Sequence, residues 1–280
     1  MKLVRYGVHG EEQPGLIDSD GAIRSLTGIV PDIAGPVLSA EGLDQLRSVD
    51  PFSLPLVEMP VRLGPCIGGV SKVVGVAQNY SCFLEQASLP EPKHPVLFIK
   101  PPSSISGPND DILLPADAEK ADWEIELGVV ISHRARKIPV ADAMSYVAGY
   151  CLLNDITERG RFAKTTQFVD SKSADTFTPV GPYFVTKDEI ADHRNLGIYF
   201  DLNGQRYQNG NTKLMIFGVE TLLSHISSLM TLMPGDILAT GTPKGVGARS
   251  TPPRFLRVGD RVRASIEGLG EQNAQVVADL

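Results

Sequence analysis

The chain has 280 residues, 42% of them hydrophobic and 21% charged, a composition that supports a packed globular core and excludes disorder as the main state. A formal net charge of −7 gives no pull toward nucleic acid or an anionic membrane, so neither is expected as a partner. Three cysteines without a CxxC pair and five histidines without an i,i+4 pair exclude a disulfide framework, a zinc knuckle and a histidine-built metal site. No apolar run reaches a membrane span and the N-terminus lacks an apolar signal core, so a reducing, cytoplasmic location is expected.

Residues 1–65 read as a small strand-rich α+β lobe. Alternating polarity over 3–8 predicts a strand, and the Asp20-Gly21 turn between 15–18 and 22–26 predicts a hairpin. Short helical patterns follow at 33–38 and 43–48. Pro51, Pro55, Pro60 and Pro65 then break helices and central strands alike, which leaves 66–280 as the main domain. There, 72–76 predicts a strand that runs into Ala77-Gln78-Asn79-Tyr80 and a helix over 81–88. A strand at 96–99 and a short helix at 140–146 are expected next. The stronger helix lies at 218–230, where Val219, Leu222, Leu223, Ile226 and Met230 recur at helical spacing. Strands at 237–240 and 262–266 follow. Strands outnumber helices, so the expected class is β-rich mixed α/β; a doubly wound sheet would need a helix after nearly every strand.

The chemistry concentrates in Asp122-Trp123-Glu124-Ile125-Glu126-Leu127. Strand alternation puts Glu124 and Glu126 on one face and Trp123, Ile125 and Leu127 on the other. Two carboxylates about 6.6–7 Å apart at Cα can converge on one point. There they would repel by several kcal/mol at an effective dielectric near 20 unless a hard cation joins them. Mg²⁺ suits oxygen ligands and exchangeable waters best, with Mn²⁺ and Ca²⁺ as alternatives. The plainer reading is a solvated pair on an exposed strand face. Asp155, at the end of a buried strand over 148–153, adds a third carboxylate, or else serves as a turn or N-cap residue. Arg159 and Lys172 offer cations nearby, unless they are surface charges. The glycine-rich run Gly241-Thr242-Pro243-Lys244-Gly245-Val246-Gly247 lacks the phosphate-loop spacing and a following helix. A backbone pocket for a carboxylate is expected there rather than a nucleotide site.

Taken together, Glu124-x-Glu126, Asp155, Lys172 and the 241–247 run resemble the fumarylacetoacetate hydrolase family. The resemblance extends through Phe98-Ile99-Lys100-Pro101, Gly107-Pro108, Asn203-Gly204, Gln208 and Met215-Ile216-Phe217, and covers most of the chain. It implies a β-sandwich roll with a small N-terminal lobe, usually as a homodimer. It implies Mg²⁺ or Mn²⁺ held by Glu124, Glu126 and Asp155, with Lys172 and Arg159 neutralising oxyanion charge. Tyr80, Lys100, Gln208, Gly241 and Thr242 would line the substrate pocket. Substrates of the family are small 2-oxo or 1,3-diketo acids, whose paired oxygens can chelate a cation that stabilises the enolate. Hydrolysis or lysis of a C–C bond, keto–enol tautomerisation and double-bond isomerisation can all pass through that enolate. A metal-dependent binding protein without turnover is the remaining reading.

One departure bears on the reaction. Hydrolytic members carry a histidine after the Asn-Tyr dipeptide and a glutamate three residues later. Phe83 and Gln86 stand at those positions here. Glu85 is one residue out of register, about 100° round a helix, and is left with Lys100 or a metal-bound hydroxide as the candidate for moving a proton. Isomerase or tautomerase chemistry is therefore expected on a par with hydrolysis.

Overall fold

A computed structural model describes residues 1–279. Fourteen strands carry the architecture, two-residue bridges being left unnumbered: β1 Lys2–Tyr6, β2 Gln13–Ile17, β3 Ile23–Ser25, β4 Val73–Ala77, β5 Val96–Lys100, β6 Ile112–Leu114, β7 Ile125–Ile131, β8 Val147–Asn154, β9 Phe184–Thr186, β10 Gly197–Leu202, β11 Gln205–Asn211, β12 Ile237–Ala239, β13 Arg261–Ile266 and β14 Gly270–Ala278. Five α-helices connect them: α1 Ala40–Arg47, α2 Ser81–Ala87, α3 Arg159–Thr165, α4 Phe168–Lys172 and α5 Val219–Leu229. A nine-stranded sheet runs in the order β3-β2-β1-β9-β8-β7-β12-β4-β5, and a five-stranded sheet in the order β11-β10-β13-β14-β6.

Strand β7 lies near the middle of the large sheet and is buried along its whole length. Its odd-numbered side chains Ile125, Leu127 and Val129, with Trp123 just before it, pack against Ile198, Phe200, Val262 and Ala264 of the smaller sheet. Val130, on the opposite face, packs with Ala148, Leu153 and Phe184 against Leu3, Leu16, Ile33, Leu38 and Leu43 of the N-terminal segment. The large sheet is therefore a middle layer covered on both sides, and the face that bears Glu126 is not solvated.

Sheet hydrogen bonding crosses the expected boundary near residue 65. Strand β1 pairs with β9, placing Leu3 opposite Phe184. The prolines separate the N-terminal strands along the chain but not within the sheet.

Helix α5 buries Val219, Leu222, Leu223 and Ile226 as its periodicity predicts. Residues 140–146 form a 3₁₀ segment instead of an α-helix. The sequence reading missed α3 and α4, whose residues carry no apolar period. Helix α3 starts instead on a local cap, the Glu158 carboxylate accepting from the Gly160 amide at 2.8 Å. It also missed the β10–β11 hairpin, turned by Asn203 and Gly204 at φ 52° and 82°, the conformation an Asn-Gly turn supplies most readily. Among the described residues no helix is long and apolar enough to cross a membrane.

Candidate metal centre

Strands β8 and β12 both run antiparallel to β7, so the start of β7 meets the ends of its two neighbours. Glu124 and Glu126 stand at the start of β7, Asp155 follows β8, and Gly241 follows β12. The three carboxylates are buried, and one oxygen from each lies within 4.8 Å of the others. Oxygens sharing one hard dication with bonds of about 2.1–2.5 Å lie at most about 4.2–5 Å apart, so the donor set fits an ion such as Mg²⁺, Mn²⁺ or Ca²⁺.

Cations surround two of the three acids. Lys172 Nζ, on α4, donates to Glu124 Oε2 at 2.8 Å and also bonds Asp155 Oδ2. Lys100 Nζ, from β5, donates to Asp155 Oδ1 at 2.6 Å and to the Phe177 carbonyl at 3.0 Å. Arg159 gives Nη2 to Glu124 Oε1 at 2.5 Å and Nε to Asp122 Oδ2 at 3.0 Å. Asp122 in turn accepts the amides of Gly247 at 2.6 Å and Ala248 at 3.1 Å, which ties the 241–249 loop to the arginine.

Glu126 is different. Its Oε2 accepts the Gly241 amide at 2.7 Å, and among the described residues it forms no ion pair with any lysine or arginine.

These environments split the acids. Burial opposes ionisation of Glu124, but Arg159 and Lys172 outweigh it and hold its carboxyl down to about 2. Burial, reinforced by the charges of Asp155 and Glu124, pushes Glu126 well above the usual carboxylate range. Burial works against charge on Lys172, yet Asp155, Glu124 and Glu126 prevail and raise it. At Lys100 burial wins over Asp155 and lowers it.

A cleft of about 420 Å³ opens onto this cluster, and Glu124, Glu126, Arg159, Lys172 and Thr242 line it. Phe83 and Leu89 from the α2 region line it too, as do Phe162, Phe168 and Phe255.

Five sequence expectations are corrected here. Glu85 lines a separate recess with Cys82, Gln86 and Lys244, because α2 turns that face toward the 241–247 loop. Lys100 is fully buried beneath Asp155 and does not reach the cleft. Gln208 is also fully buried; its Oε1 accepts the Ile125 amide at 3.1 Å, and its Nε2 donates to Thr242 Oγ1 at 2.8 Å. The Gly241 amide is already committed to Glu126. Tyr80 is fully buried, and its hydroxyl has no partner among the described residues. All four lie behind the cleft wall.

Gln86 has a further role that the sequence did not reveal. Its Oε1 accepts the Gly245 amide at 3.0 Å and its Nε2 donates to the Arg249 carbonyl at 3.2 Å, which latches α2 to the glycine-rich loop. Asp122 was overlooked as well, although it stands two residues before Glu124; nothing in a lone aspartate signals that it holds an arginine across the chain.

The fumarylacetoacetate (FAA) hydrolase C-terminal family matches residues 72–277. The chain belongs to the fumarylacetoacetate hydrolase family. It is 49% identical over 274 residues, 97% of both chains, to a Burkholderia lata protein provisionally named a hydrolase. Among solved structures, it resembles fumarylacetoacetate hydrolase from psychrophilic Exiguobacterium antarcticum, with 34% identity, a TM-score of 0.89 and full coverage of both chains. It also resembles maleylpyruvate hydrolase from Sphingobium sp. SYK-6, a structure in complex with manganese(II) ion and pyruvate, with 29% identity, a TM-score of 0.83 and full coverage of both. A third likeness is to 2-hydroxyhepta-2,4-diene-1,7-dioate isomerase from Mycobacterium marinum, at 32% identity, a TM-score of 0.75 and coverage of 100% and 99%. The chain is thus an enzyme of a family whose hydrolases and isomerases share this fold, and its buried acidic triad suits a divalent metal.

Proposed function

We propose that this enzyme uses a divalent metal to hydrolyse a C–C bond in a small 2-oxo or 1,3-diketo acid, through an enolate. The observation that carries this reading is Glu126: a carboxylate 1% exposed, facing two other carboxylates, with no ion-pairing side chain of its own. Such a group needs an external cation to ionise. Mg²⁺ is the proposed ion, Mn²⁺ the alternative, with Glu124, Glu126 and Asp155 as its ligands. When bound, the ion supplies Lewis acidity toward the carboxylate and carbonyl oxygens of a 2-oxo acid.

The remaining roles belong to the chain's own residues. Asp122, Glu124, Glu126 and Asp155 face Lys100, Arg159 and Lys172, one net negative charge when all are ionised. A dication makes the cluster singly positive, and a monoanionic acid then balances it. Lys172, its pKa raised by three carboxylates, stays protonated and donates toward a developing oxyanion. Arg159 orients the anionic substrate from a position held by Asp122. Thr242 shapes the cleft wall, its hydroxyl held in place by donating to the Ile125 carbonyl at 2.9 Å and accepting from Gln208, and Lys100 positions Asp155.

A second reading, tautomerisation or double-bond isomerisation, is favoured by Phe83. It occupies the lid position that carries a base in hydrolytic relatives, and Glu85 turns away. Isomerisation needs proton transfer but no activated water; losing a general base typically costs hydrolysis about 10²–10⁴-fold.

The experiment is to assay the Mg²⁺- or Mn²⁺-loaded protein on acylpyruvates, following enol absorbance and product acids together, beside oxaloacetate tautomerisation. Product acids released with kcat/KM near 10⁴ M⁻¹s⁻¹ or above, a typical enzymic value, support hydrolysis. Enol decay without product acids supports the second reading. Metal-dependent binding with no turnover refutes both.

A further inference from the structure

An aromatic run starts at the lysine of the acidic cluster. Lys172 Nζ, bonded to Glu124 and Asp155, also sits 4.5 Å from the centre of the Phe98 ring. Phe98 stacks on Phe168 with centroids 5.0 Å apart, and Phe168 meets Phe162 at 4.9 Å. The ring of Phe98 lies flat over Gly75 of β4, where an added Cβ would come within 2.1 Å of it. The backbone there is shaped to keep a phenyl ring beside the ammonium. Phe162 and Phe168 then line the cleft on one side, while Phe83 and Phe255 line it from the lid and from the chain after the 241–249 loop. All four are only partly covered, although phenylalanine is ordinarily among the more deeply buried residues.

We propose, building on the 2-oxo-acid reading above, that the enzyme selects substrates whose far end is apolar, an aryl or alkyl group, over those ending in a second carboxylate. The cleft does contain cations that could meet a distal carboxylate, Lys120 and Arg249. Both are exposed, and a solvated ion pair there contributes at most about fivefold in affinity. Burying a group of phenyl or butyl size against the rings contributes about tenfold to a hundredfold. The apolar contribution therefore prevails. The same geometry explains why Phe83 replaces a polar lid residue: a ring at that point completes an apolar enclosure around the tail. The rim cations draw the anionic acid toward the mouth of a net negative protein without setting what fills the cleft.

The test is calorimetry on the full-length, Mn²⁺-loaded protein with pyruvate, 2-oxobutyrate, 2-oxopentanoate, phenylpyruvate and oxaloacetate. Affinity should rise about fourfold for each added methylene. Phenylpyruvate should bind at least about tenfold more tightly than either pyruvate or oxaloacetate. Phe83→Ala and Phe255→Ala, on separate segments, should each lower the ratio of phenylpyruvate to pyruvate affinity by about threefold or more. If pyruvate, phenylpyruvate and oxaloacetate bind equally, or oxaloacetate binds best, this selectivity is wrong while the 2-oxo-acid reading stands. If Mn²⁺ binds but none of the acids does, the parent reading falls and this inference with it.

Discussion

Replacing Glu126 with glutamine separates a metal ligand from a structural acid, because the two roles predict opposite changes. One oxygen of Glu126 lies within 4.8 Å of oxygens on Glu124 and Asp155. Two unit charges at that separation repel by about 3.5 kcal/mol at an effective dielectric of 20. Protonation of Glu126 relieves part of that repulsion in the metal-free protein, and an amide of the same shape removes the rest while keeping an acceptor for the Gly241 amide. Metal-free Glu126→Gln should therefore be more stable than the parent by about 1–2 kcal/mol at pH 8, a rise of about 2–4 °C in Tm for each kcal/mol. Metal binding should move the other way. Losing a hydrogen-bond partner behind a ligand typically costs about 10–100-fold in metal affinity, so losing a charged ligand should exceed about a hundredfold. Thermal melts in chelator and calorimetric titration with Mn²⁺ read both quantities on the same samples. A variant that melts lower without metal and binds Mn²⁺ as tightly as the parent would refute the reasoning.

Two further outcomes follow from the same geometry, and a third from the family resemblance. The metal-free native state holds a proton on Glu126 that the unfolded chain releases near pH 4.3. Metal-free stability should thus fall as pH rises from there toward the raised Glu126 value, and Mn²⁺ should bind more tightly across the same window while releasing up to one proton. Titrations in buffers of different ionisation enthalpy measure that release, and none anywhere between pH 5 and 8 contradicts the assignment. Asp122→Asn removes the charge facing Arg159 and turns an amide donor either toward Arg159 and the Ala248 amide or toward the Gly247 amide; it should cost about 1–3 kcal/mol and increase hydrogen exchange in the 241–249 loop. An unchanged melt with unchanged exchange would show that Asp122 holds neither. Light scattering should give a homodimer, and a monomer at micromolar concentration would rule that out.

The sequence by itself determined the local pattern. Alternation around Glu124 and Glu126 put Trp123, Ile125 and Leu127 on a core face, and they are fully buried there. The period of 218–230 placed a helix that is observed at Val219–Leu229. Both follow from backbone geometry acting over a few residues. Ordered motifs were legible for the same reason, and with them the family.

Tertiary structure decided what those residues touch. The face bearing Glu126 could have been solvated, and it is buried because distant parts of the chain close on it: Gly241, 115 positions later, bonds its carboxylate, and Asp155 brings an oxygen within 4.8 Å. Lys100 and Gln208 look like pocket residues in a row of letters, yet strand pairing sends them behind the wall. Glu85 and Phe83 are two residues apart on α2, and the helix docking direction alone makes one a cleft residue and the other not. Side-chain proximity across the sheet depends on register and packing summed over the whole chain, and no single segment carries that information.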